Sequence, residues 1–189
     1  MTRAVVLYTS LIGHTEKIAE HVTIGLLARG IPADMLNAGA MPEDFGPPYN
    51  AIVVVGSVAG GRHSEQLTDA VKRHVAAIRA MYSAFCSVSL EAAVVAQANT
   101  PDQRAAAEIA LHQAIGKFLE ETGWTPELVE PVAGALPYAH VGPWRRILLE
   151  RLAHETGLPT DTNQDHVFTD WAALDRFLDI FAERARVMP

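Results

Sequence analysis

Two short runs dominate what this chain can become: RAVVLYT at 3–9 and AIVVVG at 51–56 are apolar, rich in β-branched residues and ended by turn formers. Neither alternates apolar with polar residues, so neither reads as a strand with one wet face. Such runs suit strands covered on both faces, as in a parallel sheet sandwiched between helices. Between them Ile18, Val22, Gly25 and Leu26 recur at i, i+4, i+7 and i+8, and Gly30 follows as a helix stop. A weaker strand at 31–37 completes a βαβ beginning.

The alternation continues. Ser64 is an N-cap for a helix carrying Leu67, Val71, His74 and Ile78 on one face, and AFCSVSL at 84–90 follows as a strand. Thr100-Pro101-Asp102-Gln103 supplies an N-cap, a proline at the first helical position and a capping-box Gln, with Leu111, Ile115, Phe118 and Leu119 as the apolar face and Gly123 as the stop. Residues 126–136 read as another strand, and Trp171, Leu174, Leu178 and Phe181 mark a last amphipathic helix after Thr169. The order predicts a doubly wound α/β sheet, and 189 residues suit a single domain spanning 1–189. Two segments exceed a minimal layout: 91–100, and 137–168, which holds a short helix. Trp144, Ile147, Leu148 and Leu152 are expected on one side of that helix, with Arg145, Arg146, Glu150 and Arg151 on the other. Both segments follow carboxyl ends of strands, where loops form the ligand crevice of open sheets, so the extra chain is expected to shape a site.

Composition removes several classes. At 49% hydrophobic and 20% charged the chain is globular rather than disordered, and its net charge of −7 has the wrong sign for broad nucleic-acid binding. A single cysteine, Cys86, excludes an internal disulfide or a cysteine zinc site and fits a reducing compartment, so a cytoplasmic location is expected. No apolar run reaches the roughly 20 residues of a membrane helix, and Arg3 with the apolar residues behind it reads as a first strand rather than a leader.

The sharpest local motif is Thr9-Ser10-Leu11-Ile12-Gly13-His14-Thr15, which joins strand to helix. Backbone N–H groups at a helix N-terminus, with hydroxyls of Ser10 and Thr15 and a flexible Gly13, are suited to a phosphate; an ordinary capped turn uses the same residues. A second loop, Gly56-Ser57-Val58-Ala59-Gly60-Gly61-Arg62-His63-Ser64, is not a nucleotide-triphosphate loop, because Arg62 and His63 stand where lysine and a hydroxyl are needed. Its Gly60-Gly61 pair would let a planar ligand approach the backbone. His14, His63 and His140 lie in loops near the expected crevice, whereas His74 sits on an apolar helix face. No histidine has metal-ligand spacing, no catalytic residue stands out, and Cys86 is expected in the core.

These residues carry a resemblance. TSLIGHT after the first strand, the glycine loop after the third and the alternation of five strands resemble a flavodoxin-type domain. AFCSVSL at 84–90, VAGALPY at 132–138 and TDTNQDHVFTDW at 160–171 resemble, more narrowly, the flavodoxin-like menaquinone-dependent protoporphyrinogen oxidases of bacteria. The resemblance implies a five-stranded parallel sheet in the order 2-1-3-4-5 with an insertion after the last strand. It implies bound FMN, a tetrapyrrole substrate in haem biosynthesis and a quinone acceptor. By position, the cofactor would meet Ser10, Leu11, Ile12, Gly13, His14 and Thr15 at the phosphate, and Ser57, Val58, Ala59, Gly60, Gly61, Ser89 and Leu90 around the ring. Ile12 replaces the middle hydroxyl residue of the usual phosphate loop. Residues 58–60 lack the arginine and aromatic residue expected in this oxidase family. Arg62, His140, Arg145 and Arg146 are candidates for the substrate propionates on charge. A redox carrier, an NAD(P)H-dependent quinone reductase and a flavin-free domain of the same fold stay open. The 144–153 helix is expected to pack on its own sheet or on a second subunit in preference to a membrane surface, because it is short and the chain is acidic.

Overall fold

The computed structural model describes residues 2–10, 13–43 and 45–187, and the side chains of His140, Arg145, Leu148 and Leu152 also lie outside that description. The first apolar run is strand β1 (Ala4–Tyr8), buried along its whole length. It pairs in parallel with β2 (Ala33–Asn37) on one side and β3 (Ala51–Ala59) on the other. Beyond β3, the two-residue strand β4 (Arg62–His63) folds back on it. Then β5 (Tyr82–Ser89) and β6 (Leu128–Ala133) extend the parallel sheet. The path β2-β1-β3-β5-β6 is the expected 2-1-3-4-5 order once the β4 hairpin is set aside.

Period-two alternation divides β1 between two cores. Ala4, Val6 and Tyr8 face α1 (His14–Ala28) and α7 (Trp171–Val187), joining Ile18, Val22, Leu26, Leu174, Leu178 and Phe181. Val5 and Leu7 face the opposite layer of α2 (Glu65–Arg73), α3 (Val75–Arg79) and α5 (Pro101–Thr122), among Leu67, Val71, Ile78, Leu111, Phe118 and Trp124. Full burial of each large apolar side chain contributes about 1.5–3 kcal/mol, so covering both faces of β1 ties the two helical layers to the sheet.

The caps form where local chemistry asks for them: Ser64 Oγ accepts from Leu67 N, Thr100 Oγ1 accepts from Gln103 N, and Gly123 ends α5 at φ 64°. Other expectations are corrected. The helix carrying Leu67 to Ile78 breaks at His74 into α2 and α3. Residues 91–100 are mostly helix α4 (Leu90–Gln97), capped by Ser89 Oγ on Ala92 N. The strand expected over 126–136 stops at Ala133. Gly134 donates to Ser89 O and accepts from Phe168 N, and the chain leaves the main sheet as β7 (Ala135–Leu136) to pair with β8 (His166–Val167).

The β7–β8 ribbon closes the base of the inserted segment, whose helix α6 spans Pro143–Thr156. The insert carries its own small core, in which Tyr138, Ala153 and Leu158 pack with Ala93, Val94 and Ala107 of α4 and α5. Its helix therefore turns Leu149 and Ala153 inward, and the expected apolar side is corrected: Trp144 is 86% exposed and Ile147 59% exposed. No described helix is long and apolar enough to cross a membrane.

Candidate functional site

Because the five paired strands run parallel, the segments after β1, β3, β5 and β6 gather at one edge of the sheet. The chain crosses from β2 to β3 past β1, so β1 and β3 flank the point where winding changes direction, and an open sheet gapes there. The two segments beside that gap are tied together by Thr9 Oγ1 and Ser64 Oγ, 3.1 Å apart.

The turn after β1 is stapled by Ser10, whose Oγ accepts from Gly13 N at 2.9 Å. Gly13 takes φ 89°, a left-handed conformation, and no side chain among the described residues caps the helix it opens. The N–H groups of His14, Thr15 and Glu16 head α1 without an intrahelical acceptor, at the positive end of its dipole. Such a helix start can take an anion; the Gly13 amide is itself committed to Ser10, and among the described residues a Cβ built on Gly13 meets nothing within 4 Å. Glu16, the nearby carboxylate, is engaged by the Tyr8 hydroxyl at 2.9 Å. Leu11 and Ile12 lie outside the described residues.

His14 is fixed from behind. Thr169 Oγ1 donates its hydrogen to Ala133 O at 2.7 Å, so at its 2.8 Å contact with His14 Nε2 it accepts, which assigns the proton of the neutral ring to Nε2. Burial, and secondarily the nearby Lys17, push the His14 pKa down. Trp171 meets the ring edge-on. Sequence reading did not find Thr169 and Trp171 as partners of the first turn, since they lie some 155 positions along the chain and no local pattern reports such a pairing.

The second wall is not a loop. Strand β3 runs past the end of β1 to Ala59, and Gly60 and Gly61, at φ 59° and 73°, form the two-residue turn into β4. Positive φ at both central positions is what the tight hairpin turn compatible with strand twist requires. Ser57 and Val58 are half-buried, while Ala59, Gly60 and Gly61 are exposed. This correction moves His63 out of the crevice. The ring lies buried against Phe85 and Phe118, with Nε2 3.3 Å from Ser87 Oγ. Burial pushes its pKa down to about 4. Arg62 forms an ion pair with Glu121 at 2.8 Å.

At the end of β5, Ser89 is buried and occupied in capping α4, and Leu90 packs toward the insert core. Arg146 donates to Tyr138 O at 3.0 Å, bracing the insert rather than facing the crevice. The side chains of His140 and Arg145 lie outside the described residues. A separate hollow of about 360 Å³ opens at the free edge of β6, between α4, α5 and the start of α7, lined by Val95, Leu111, Val132, Phe168 and Glu130. Burial raises the Glu130 carboxyl pKa there, partly offset by Arg176. Cys86 is fully buried, and burial pushes its thiol pKa up, as for a core residue. Among the described residues no group of three or more His, Cys, Asp or Glu side chains is placed to hold a metal.

A profile described as a flavodoxin domain matches residues 5–163, the region that builds this edge. The chain belongs to the flavodoxin family. Among curated proteins, this flavodoxin domain is 29% identical over 175 residues to the Escherichia coli K12 protein named protoporphyrinogen IX dehydrogenase [quinone], covering 93% of this chain and 92% of that one. A Leishmania major protein of the same name is 29% identical over 188 residues, covering 99% of this chain and 78% of that one. Among solved structures, oxidised flavodoxin 2 of Bacillus cereus superposes with TM-score 0.57 at 16% identity, covering 97% of this chain and 99% of that one. Oxidised flavodoxin 1 of the same organism gives 0.55 at 14%, covering 96% and 98%. A flavin is the cofactor that a flavodoxin domain implies, and the uncapped start of α1, with open space at Gly13, fits a flavin phosphate.

Proposed function

We propose that this flavodoxin domain is an FMN-dependent oxidoreductase that oxidises protoporphyrinogen IX to protoporphyrin IX and delivers the electrons to a quinone. The observation that carries the FMN part is the uncapped N-terminus of α1 at Gly13, beside the β3–β4 hairpin. The substrate and acceptor follow the names of two relatives that match along nearly the whole chain.

In this reading the His14, Thr15 and Glu16 amides bind the phosphate, and Ser10 holds the turn in shape. Ser57 to Gly61 orient the ring from one side, with the end of β5 on the other. Bound FMN supplies the two-electron redox chemistry. His14, held neutral by burial with its Nε2 proton directed to Thr169, keeps Nδ1 as an acceptor. The Gly60-Gly61 turn lets a flat ligand lie close to the backbone without a Cβ in the way.

The test is a visible spectrum after FMN addition and desalting, followed by anaerobic mixing with protoporphyrinogen IX. Retained flavin that bleaches is the expected result. Retained flavin that stays oxidised would refute the substrate assignment in favour of a carrier or another reductase, and absence of flavin would refute the cofactor.

A further inference from the structure

We propose that the hollow at the open edge of β6 is a binding site for a compact apolar amine, with the ammonium group on the Glu130 carboxylate and the hydrocarbon part against Val95, Leu111 and Phe168. The site is separate from the flavin edge: β6 stands three strand spacings from β1, roughly 14 Å. The proposal therefore stands whether or not the flavin reading does.

The first observation is a cavity with the right shape and lining. Strand β6 ends the sheet, and α4, α5 and the start of α7 enclose about 360 Å³ beside it. Sites for small organic molecules run from roughly 300 to 1,000 Å³ and are mostly apolar, with a few polar groups that fix orientation. Here the apolar lining comes from four elements, with Val95 of α4, Leu111 of α5, Val132 of β6 and Leu174 of α7 meeting Phe168.

The second observation is a carboxylate without a partner. Period-two alternation puts Glu130 on the same face of β6 as the buried Val132, and its side chain is half-buried. Among the described residues no hydrogen bond or ion pair reaches it. Glu127, three residues earlier, shows what a satisfied carboxylate looks like in this strand region, accepting from Ser83 N at 2.8 Å and Ser83 Oγ at 2.6 Å. The neighbouring arginines are turned elsewhere. Arg104 pairs with Glu108 at 3.3 Å, and Arg176 stands 3.9 Å from Asp170, largely exposed. Burial raises the Glu130 pKa and Arg176 offsets only part of that rise, as for a negative charge short of compensation.

These two observations choose the ligand's chemistry. A carboxylate held among apolar side chains without donors is costly, and a cation that brings N–H groups relieves it, whereas a neutral apolar molecule leaves it unpaired and an anion is repelled. Among the described residues no group of three or more His, Cys, Asp or Glu side chains could make this a metal site. A peptide strand is a poor occupant too, because Pro131 lies in β6 and in an edge strand a proline sits with its missing donor on the open side.

The experiment titrates the full chain, labelled with ¹⁵N, with 2-phenylethylamine, 2-phenylethanol and 3-phenylpropionate, and reads amide shifts. The amine is expected to move signals of Val95, Val132 and Ala173 and to bind about tenfold or more tightly than the alcohol or the acid. Glu130→Gln should bring the amine down to the affinity of the alcohol, about a tenfold loss, with the rest of the spectrum unchanged. Ala173→Leu, which fills the hollow and leaves Glu130 in place, should abolish the shifts, and it keeps the test decisive if the Glu130 variant does not fold. Equal affinity for the three probes, amine shifts confined to another part of the molecule, or wild-type amine binding by either variant would overturn the proposal.

Discussion

His63 shows how one buried ring can govern stability. Its pKa is pushed down to about 4 by burial against Phe85 and Phe118, while the unfolded chain has the ordinary value near 6.5. Between those values the unfolded state binds more protons, so stability rises with pH, is complete above about 6.5 and is lost as pH falls toward 4. From pH 7 to pH 5 the loss from this group is about 2 kcal/mol, and His14 and His74, also lowered mainly by burial, add in the same direction. Urea midpoints at the two pH values are expected to differ accordingly, and His63→Leu should flatten the dependence. At Gly13 the relevant quantity is a dihedral. A Cβ would find space, so Gly13→Ala costs only the strain of φ 89°, about 1–2 kcal/mol. That strain should tilt the first amides of α1 and weaken FMN binding by about tenfold, read as a shifted flavin-fluorescence titration. Gly13 was legible as a flexible position in the turn before α1, though its φ of 89° was not, whereas His63 read as a loop histidine because the rings of Phe85 and Phe118 that bury it lie far along the chain.

At the scale of elements, the β3–β4 hairpin is the part most exposed to substitution. Both turn glycines have positive φ and open space around them, so backbone conformation sets tolerance. Gly60→Asn is expected to leave the melting temperature nearly unchanged, since Asn-Gly suits this turn, whereas Gly60→Val should cost about 1–2 kcal/mol. The caps were legible because each is written within four residues: Ser64 with Leu67, and Thr100 with Gln103. The end of β6 was not. Ala133 continues an apolar pattern into Gly134, Ala135 and Leu136, and only the bonds of Gly134 to Ser89 and Phe168, far away in sequence, turn the chain out of the sheet.

For the whole molecule, the insert is tied in by Tyr138, Ala153 and Leu158 against α4 and α5, and by the β7–β8 ribbon. Its unfolding should therefore be cooperative with the rest, and one calorimetric transition is expected. A separate early transition reported by Trp144 emission, with Trp124 in the core unchanged, would show that the insert melts alone. Such cooperativity is set by packing between segments, which a single sequence does not state. What the sequence determined by itself is local and periodic: which runs are buried on both faces, where α1, α2 and α5 begin, and hence a parallel sheet wound by helices. The tertiary structure alone decided that Thr169 holds His14, that the glycine segment is a hairpin with His63 beneath it, and that α6 turns Leu149 inward and Trp144 outward. Each of these depends on contacts between residues distant along the chain, and the side of a helix that is buried is chosen by the surface it meets.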